Sequence, residues 1–150
     1  MTLAADRDLV ARQYANGYRE LFDDAVPALR AGIARTGCLE GGILFTHLTL
    51  LSRHPDTLIV RKRGAAVAAE AADRAAAVLR AGWPDTAAGR DAMADLDRWL
   101  RGDGHARNPG TTADLIAATL FAELLTERIP LPLSVPWSRA ELVPCQVVAT

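Results

Sequence analysis

The sequence predicts an all-α fold: a single bundle of about five to six helices followed by an extended, proline-containing C-terminal tail. Three observations lead there. Alanine, leucine and arginine dominate the composition, and all three are strong helix formers. Only 5% of residues are aromatic, and alternating β-branched runs are nearly absent before the tail. Apolar residues instead recur at intervals of three and four, which gathers them on one face of a helix. With 150 residues the chain suits one domain with a sizeable core, expected over residues 1–128, with the tail over 129–150.

The first helix is expected over residues 5–22, where Leu9, Val10, Tyr14, Tyr18, Leu21 and Phe22 follow the helical spacing. Pro27 interrupts it and suits the first turn of a second helix, residues 28–35, which Thr36 and Gly37 close. A third helix over residues 39–53 carries Ile43, Leu44, Phe45, Leu48, Leu50 and Leu51, apolar on most faces and therefore central. His54 and Pro55 end it, because a residue before proline is pushed out of the helical region. Leu58, Ile59 and Val60 form an apolar run too short to separate strand from buried helix.

A fourth, alanine-rich helix spans residues 65–80 and stops at Gly82-Trp83-Pro84, and a fifth spans 87–101 with Met93, Leu96 and Leu100. A polar, glycine-bearing loop over residues 102–110 leads to a sixth helix, 111–126, with Leu115, Ile116, Leu120, Phe121, Leu124 and Leu125. Beyond Arg128, four prolines (Pro130, Pro132, Pro136 and Pro144) exclude a long helix and favour an extended segment.

Half of the residues are hydrophobic, 23% are charged, and the formal net charge is −1. A nucleic-acid binder would carry a large basic excess, so anion recognition has to come from a local site. No apolar stretch approaches the ~20 residues needed to cross a bilayer, and residues 1–12 are too charged for a signal peptide. Cys38 and Cys145, without companion ligands, do not form a zinc site. The expected setting is cytoplasmic and reducing, with both thiols free.

Two segments carry the candidate chemistry. In residues 108–115, Gly110, Thr111 and Thr112 precede an apolar helix, so free N–H groups and hydroxyls at its N-terminus would attract phosphate. The same residues also fit a capping box, with Thr111 as N-cap and Asp114 at the third helical position. In residues 47–64, Asp56 could hold a ribose hydroxyl or magnesium, and Arg61 and Lys62 could neutralise a polyphosphate. Asp56 is equally a common turn or cap residue, the Arg61-Lys62-Arg63 run suits a solvated helix end, and His47 suits a hydrogen-bonded core histidine. His105 lies in a loop that serves equally well as an exposed connection.

These segments are where the sequence resembles the triphosphoribosyl-dephospho-CoA synthase family. Residues 47–64 (HLTLLSRHPDTLIVRKRG) resemble its motif of a helix, an Asp-Thr pair and a basic turn closed by glycine. Residues 108–121 (NPGTTADLIAATLF) are similar to its later Pro-Gly, hydroxyl-residue, Ala-Asp-Leu motif, and residues 14–18 (YANGY) resemble the segment before them. The resemblance covers residues 14–125 and corresponds to the C-terminal half of the family.

It implies an all-α transferase that moves a triphosphoribosyl group from ATP to 3′-dephospho-CoA and releases adenine. The product is a prosthetic-group precursor for acyl-carrier subunits of lyase-type enzymes. Breaking the N-glycosidic bond gives oxocarbenium character, so the site needs carboxylates, a cationic cradle and magnesium. On that scheme Asp56 and Asp114 are the catalytic carboxylates, with Asp56 also facing the metal. His47, Thr57, Arg61, Lys62, Gly64, Asn108, Gly110, Thr111 and Thr112 form the ATP-binding set.

The chain departs from the family in two ways. It has no Lys-Pro-Gly or Gly-Ala-His motif of the family's earlier half, and its basic turn has no histidine or paired glycines. The implied partner is a chain supplying the other half, or a second copy. The alternatives are a non-catalytic nucleotide-binding subunit and a branch serving one-carbon carrier biosynthesis.

Overall fold

A computed structural model describes residue 5 and residues 7–129. Helix α1 (Leu9–Asn16) begins at Asp8, whose side chain accepts hydrogen bonds from the N–H groups of Val10 and Ala11. It ends at Gly17, in the left-handed conformation that a residue without Cβ adopts cheaply. The first helix is therefore shorter than the expected residues 5–22. A π-helical turn (Leu21–Ala25) runs straight into α2 (Val26–Thr36). The wide turn ends two residues before Pro27, which has no N–H to donate back into a regular turn.

Helix α3 (Leu39–Arg53) occupies the residues the apolar pattern marks, as do α5 (Ala65–Arg80) and α6 (Ala87–Arg101). The ambiguous run at Leu58 is settled as a short helix, α4 (Thr57–Arg63), which Asp56 caps. After a 3-10 turn (Asp103–His105), α7 (Gly110–Leu125) completes seven α-helices among the described residues, none of which form a strand. The extended-tail expectation falls on residues 130–150, outside the described residues.

Helix α3 is central because both of its faces are buried. Leu48 and Leu51 join Ile59, Ala68, Ala71, Ala75, Val78, Trp83 and Leu96 in one core. Leu50 joins Leu9, Ala25, Leu115 and Ile116 in a second, between α3, α1 and α7. Burial of this kind contributes about 25 cal/mol per Å² of apolar surface, which is why the two-faced helix organises the rest. Arg30 on α2 also donates twice to the buried Glu123 on α7, at 2.9 and 2.7 Å.

The sequence reading expects two free thiols. Cys38 is instead disulfide-bonded, and its Sγ accepts from the Gly41 N–H at the start of α3. Cys145 lies outside the described residues. No helix among the described residues is long and apolar enough to cross a membrane.

Helices α2 and α3 approach closely at two glycines. A Cβ at Gly42 would lie 2.5 Å from Ile33 Cγ1 and 3.1 Å from the Leu29 carbonyl oxygen. Gly42→Ala is expected to lower unfolding free energy by about 1–2 kcal/mol, since overpacking outweighs the helix-propensity gain of about 1 kcal/mol. Urea denaturation measures it; an unchanged or raised midpoint would show that the two helices can separate freely.

Candidate functional site

The N-terminal ends of α1, α4 and α7 converge on a single junction, held by Asp56 and three threonines. Fully buried Asp56 receives four hydrogen bonds. Its Oδ1 accepts from the N–H groups of Leu58 (2.9 Å) and Ile59 (3.1 Å), capping α4. Its Oδ2 accepts from the Thr112 N–H and hydroxyl, both at 2.8 Å, capping α7 from a distant part of the chain. Alongside, the Thr57 N–H donates to Thr111 Oγ1 and the Leu9 N–H donates to Thr57 Oγ1, each at 3.1 Å.

This arrangement replaces the local capping box. Helix α7 starts earlier than that reading requires: Pro109, not Thr111, is its N-cap, and no side chain of its own caps it. The carboxylate that meets its N-terminal donors is Asp56. All of the lone-pair directions Asp56 can offer are engaged by the protein, so its chemistry here is to fix helices. That geometry does not fit a magnesium ligand.

Above the junction lies a cleft of about 640 Å³ lined by residues of all three helices. Helix α1 and its cap supply Asp8, Val10, Ala11 and Tyr14; α4 supplies Leu58 and Arg61; α7 supplies Gly110, Thr111 and Asp114. The largely exposed Arg61 guanidinium stands 4.0 Å from Asp8 Oδ2. Arg61 and Asp114, one basic and one acidic, thus share a concave surface with the start of α7, where the aligned peptide dipoles favour an anion.

Four of the residues singled out in the sequence therefore meet in the cleft: Arg61, Gly110, Thr111 and Asp114. Asp56, Thr57 and Thr112 form the frame beneath it. Lys62 is exposed and lies outside the lining, and Gly64, with φ of 88°, joins α4 to α5. The Asn108 carbonyl accepts from the Gly110 N–H at 3.0 Å. Arg63 pairs with Asp103 at 2.7 Å, which ties the basic turn to the loop before α7. His47 on α3 does not line the cleft. Burial pushes its pKa below the usual histidine value, with the Asp56 charge partly opposing.

Asp8 and Tyr14 also line the cleft, and sequence reasoning missed both. Asp8 had a usable signal, since an aspartate just before an apolar run is a common helix cap. Tyr14, Tyr18 and Phe22 follow the apolar spacing expected to face a core, yet all three are exposed. Because α1 ends at Gly17, that stripe is not continuous. Among the described residues no group of three or more His, Cys, Asp or Glu side chains is placed to hold a metal.

The family model described as ATP:dephospho-CoA triphosphoribosyl transferase matches residues 1–132. No curated protein and no solved structure matches the chain.

Asp56→Ala strips four donors of a buried partner and is expected to lower unfolding free energy by about 2–4 kcal/mol. Asp56→Asn should also destabilise, because its amide cannot accept at both former oxygens; a wild-type denaturation midpoint for either variant would contradict the junction. His47 gives a pH signature with a definite sign. Its folded pKa is depressed, so its contribution is complete above the unfolded value of 6.5 and is lost as pH falls below it. His47→Gln should flatten the stability profile below pH 6.5, and an unaltered slope would show that the ring titrates freely.

Proposed function

We propose a role for each wall of the cleft from one premise: the chain belongs to the ATP:dephospho-CoA triphosphoribosyl transferase family. The observation that carries the reading is the meeting of Arg61, Gly110, Thr111 and Asp114 in one cleft, although they come from distant parts of the chain. In this reading ATP lies across the cleft. Its triphosphate meets the Arg61 guanidinium and the N-terminal turn of α7 at Gly110 and Thr111, and Asp114 faces the ribose.

The reaction breaks the bond between the ribose anomeric carbon and the adenine nitrogen. Adenine leaves with the bonding electrons, the ribose gains oxocarbenium character, and a ribose hydroxyl of dephospho-CoA attacks the anomeric carbon, its proton passing overall to the departing adenine nitrogen so that neutral adenine is released. A fixed carboxylate at Asp114 stabilises the developing positive charge more than it stabilises the neutral ground state. Asp8 orients Arg61. Asp56 and Thr112 are positioning residues, holding α7 so that Asp114 and Thr111 share one wall.

Magnesium, when bound, would neutralise triphosphate charge. Asp114 with substrate phosphates fits the usual pattern of one or two carboxylates plus phosphate oxygens, whereas Asp56 does not. A second chain or copy would complete the site. Supporting this, the cleft is open beside Tyr14, and Phe121 and Leu125 continue from Asp114 as an exposed apolar stripe on α7.

Three measurements test the reading. ATP at 100 times its dissociation constant should stabilise the chain by about 2.7 kcal/mol, and Arg61→Ala should weaken that binding by about tenfold. Adenine release from ATP and dephospho-CoA should fall at least a hundredfold in Asp114→Asn, with the melting temperature unchanged. Full turnover by Asp114→Asn would remove it from catalysis. ATP binding without adenine release, alone or with a completing chain, would favour the non-catalytic subunit.

A further inference from the structure

At the end of the cleft away from Arg61 stands an aromatic pair that the fold does not need for its core. Tyr14 lines the cleft and is 62% exposed, so its ring is accessible to a ligand there. Tyr18 packs edge-on against it, with ring centroids 5.3 Å apart and an interplanar angle of 62°. This T-shaped contact fixes the Tyr14 ring while leaving a face available.

The backbone that places Tyr18 is strained. Tyr18 has φ of 61°, directly after Gly17 at 74°. A bulky residue in this region is uncommon and costs energy that surrounding structure must hold in place. Here the holding group is Gln13, itself almost fully buried. Its carbonyl oxygen accepts from the Tyr18 N–H at 2.8 Å, and its side-chain amide donates to the Leu9 carbonyl (3.2 Å) and to Glu20 (2.6 Å). The Gln13 side-chain oxygen accepts from the Leu21 N–H at 3.3 Å. A polar clamp thus fixes a turn whose visible result is an oriented aromatic wall.

Distance supplies the rest. Tyr14 lies five positions after Leu9, where α1 leaves the Asp8 cap beside Arg61, which at 1.5 Å per residue is about 7.5 Å along α1. The cleft therefore presents a cationic group at one end, a carboxylate on the facing helix, and a flat apolar ring at the other end. A ligand matching that order has an anion, a sugar and a planar ring system.

We infer that the open face of Tyr14 is the stacking platform for the adenine ring of ATP, with Tyr18 as the residue that positions it. The inference rests on the ATP reading of the cleft and adds the base-recognition element to it. A ring platform holds adenine through the bond-breaking step and keeps the leaving base aligned with the glycosidic bond.

The experiment compares dissociation constants for ATP and for inorganic tripolyphosphate in wild type, Tyr14→Ala, Tyr14→Phe and Tyr18→Gly. Tyr14→Ala should weaken ATP binding roughly five- to hundredfold, the range of base stacking on an aromatic side chain. Tripolyphosphate binding should not change, and Tyr14→Phe should retain ATP binding. Tyr18→Gly should raise the melting temperature of the ligand-free chain by relieving backbone strain, while weakening ATP but not tripolyphosphate. Equal ATP affinity in wild type and Tyr14→Ala, or equal losses for both ligands, would overturn the platform while leaving the ATP site intact. Failure of wild type to bind either ligand would overturn the ATP reading and the platform with it.

Discussion

Asp56 is a carboxylate with no exposure to water, a position that is costly unless every lone pair is met. In this chain two donors come from the helix it begins and two from Thr112, fifty-six residues away. The same charge serves the N-terminal ends of α4 and α7, where unpaired N–H groups and the peptide dipoles favour an anion. Because those donors point toward a common centre, the two helices cannot shift independently without leaving a buried polar group unpaired. The cleft walls inherit their geometry from that constraint.

Around the junction the packing follows from α3, whose two apolar faces separate the cores. One face fixes α4, α5 and α6, and the other fixes α1 and α7. Small residues matter as much as large ones: Gly32 and Gly42 let α2 and α3 touch nearly backbone to backbone. Helix α1 enters the second core through Leu9 and also relies on polar contacts. The Leu9 N–H contact to Thr57 ties its start to α4, and the Asp8 cap and Gln13 clamp fix its two ends, so packing and polar contacts together set the cleft's third wall.

The electrostatics of the cleft are local. The chain carries a net charge of −1, yet one region places Arg61 and the start of α7 together. Two aspartates divide the work by environment. Asp56, buried and saturated with hydrogen bonds, shapes the site, whereas Asp114, exposed on the first turns of α7, is free to meet a ligand. Residue type alone does not separate these roles, because both are aspartates next to helix starts.

What the sequence determined by itself was the helical class and the extents of three helices, residues 39–53, 65–80 and 87–101. Those signals are local: apolar periodicity, Gly37 after one helix, Pro55 after the next, and polar residues at the starts. It also marked Arg61, Gly110, Thr111 and Asp114 as chemically distinctive. Tertiary structure decided the rest. The true cap of α7 depends on Asp56 reaching Thr112, a contact with no trace in neighbouring residues. The exposure of Tyr14 depends on what packs against that face of α1, and periodicity records only that a residue is apolar. Local hydrogen bonds and spacing are written in the nearest few residues, but the closure of a site is written in contacts between residues far apart in the chain.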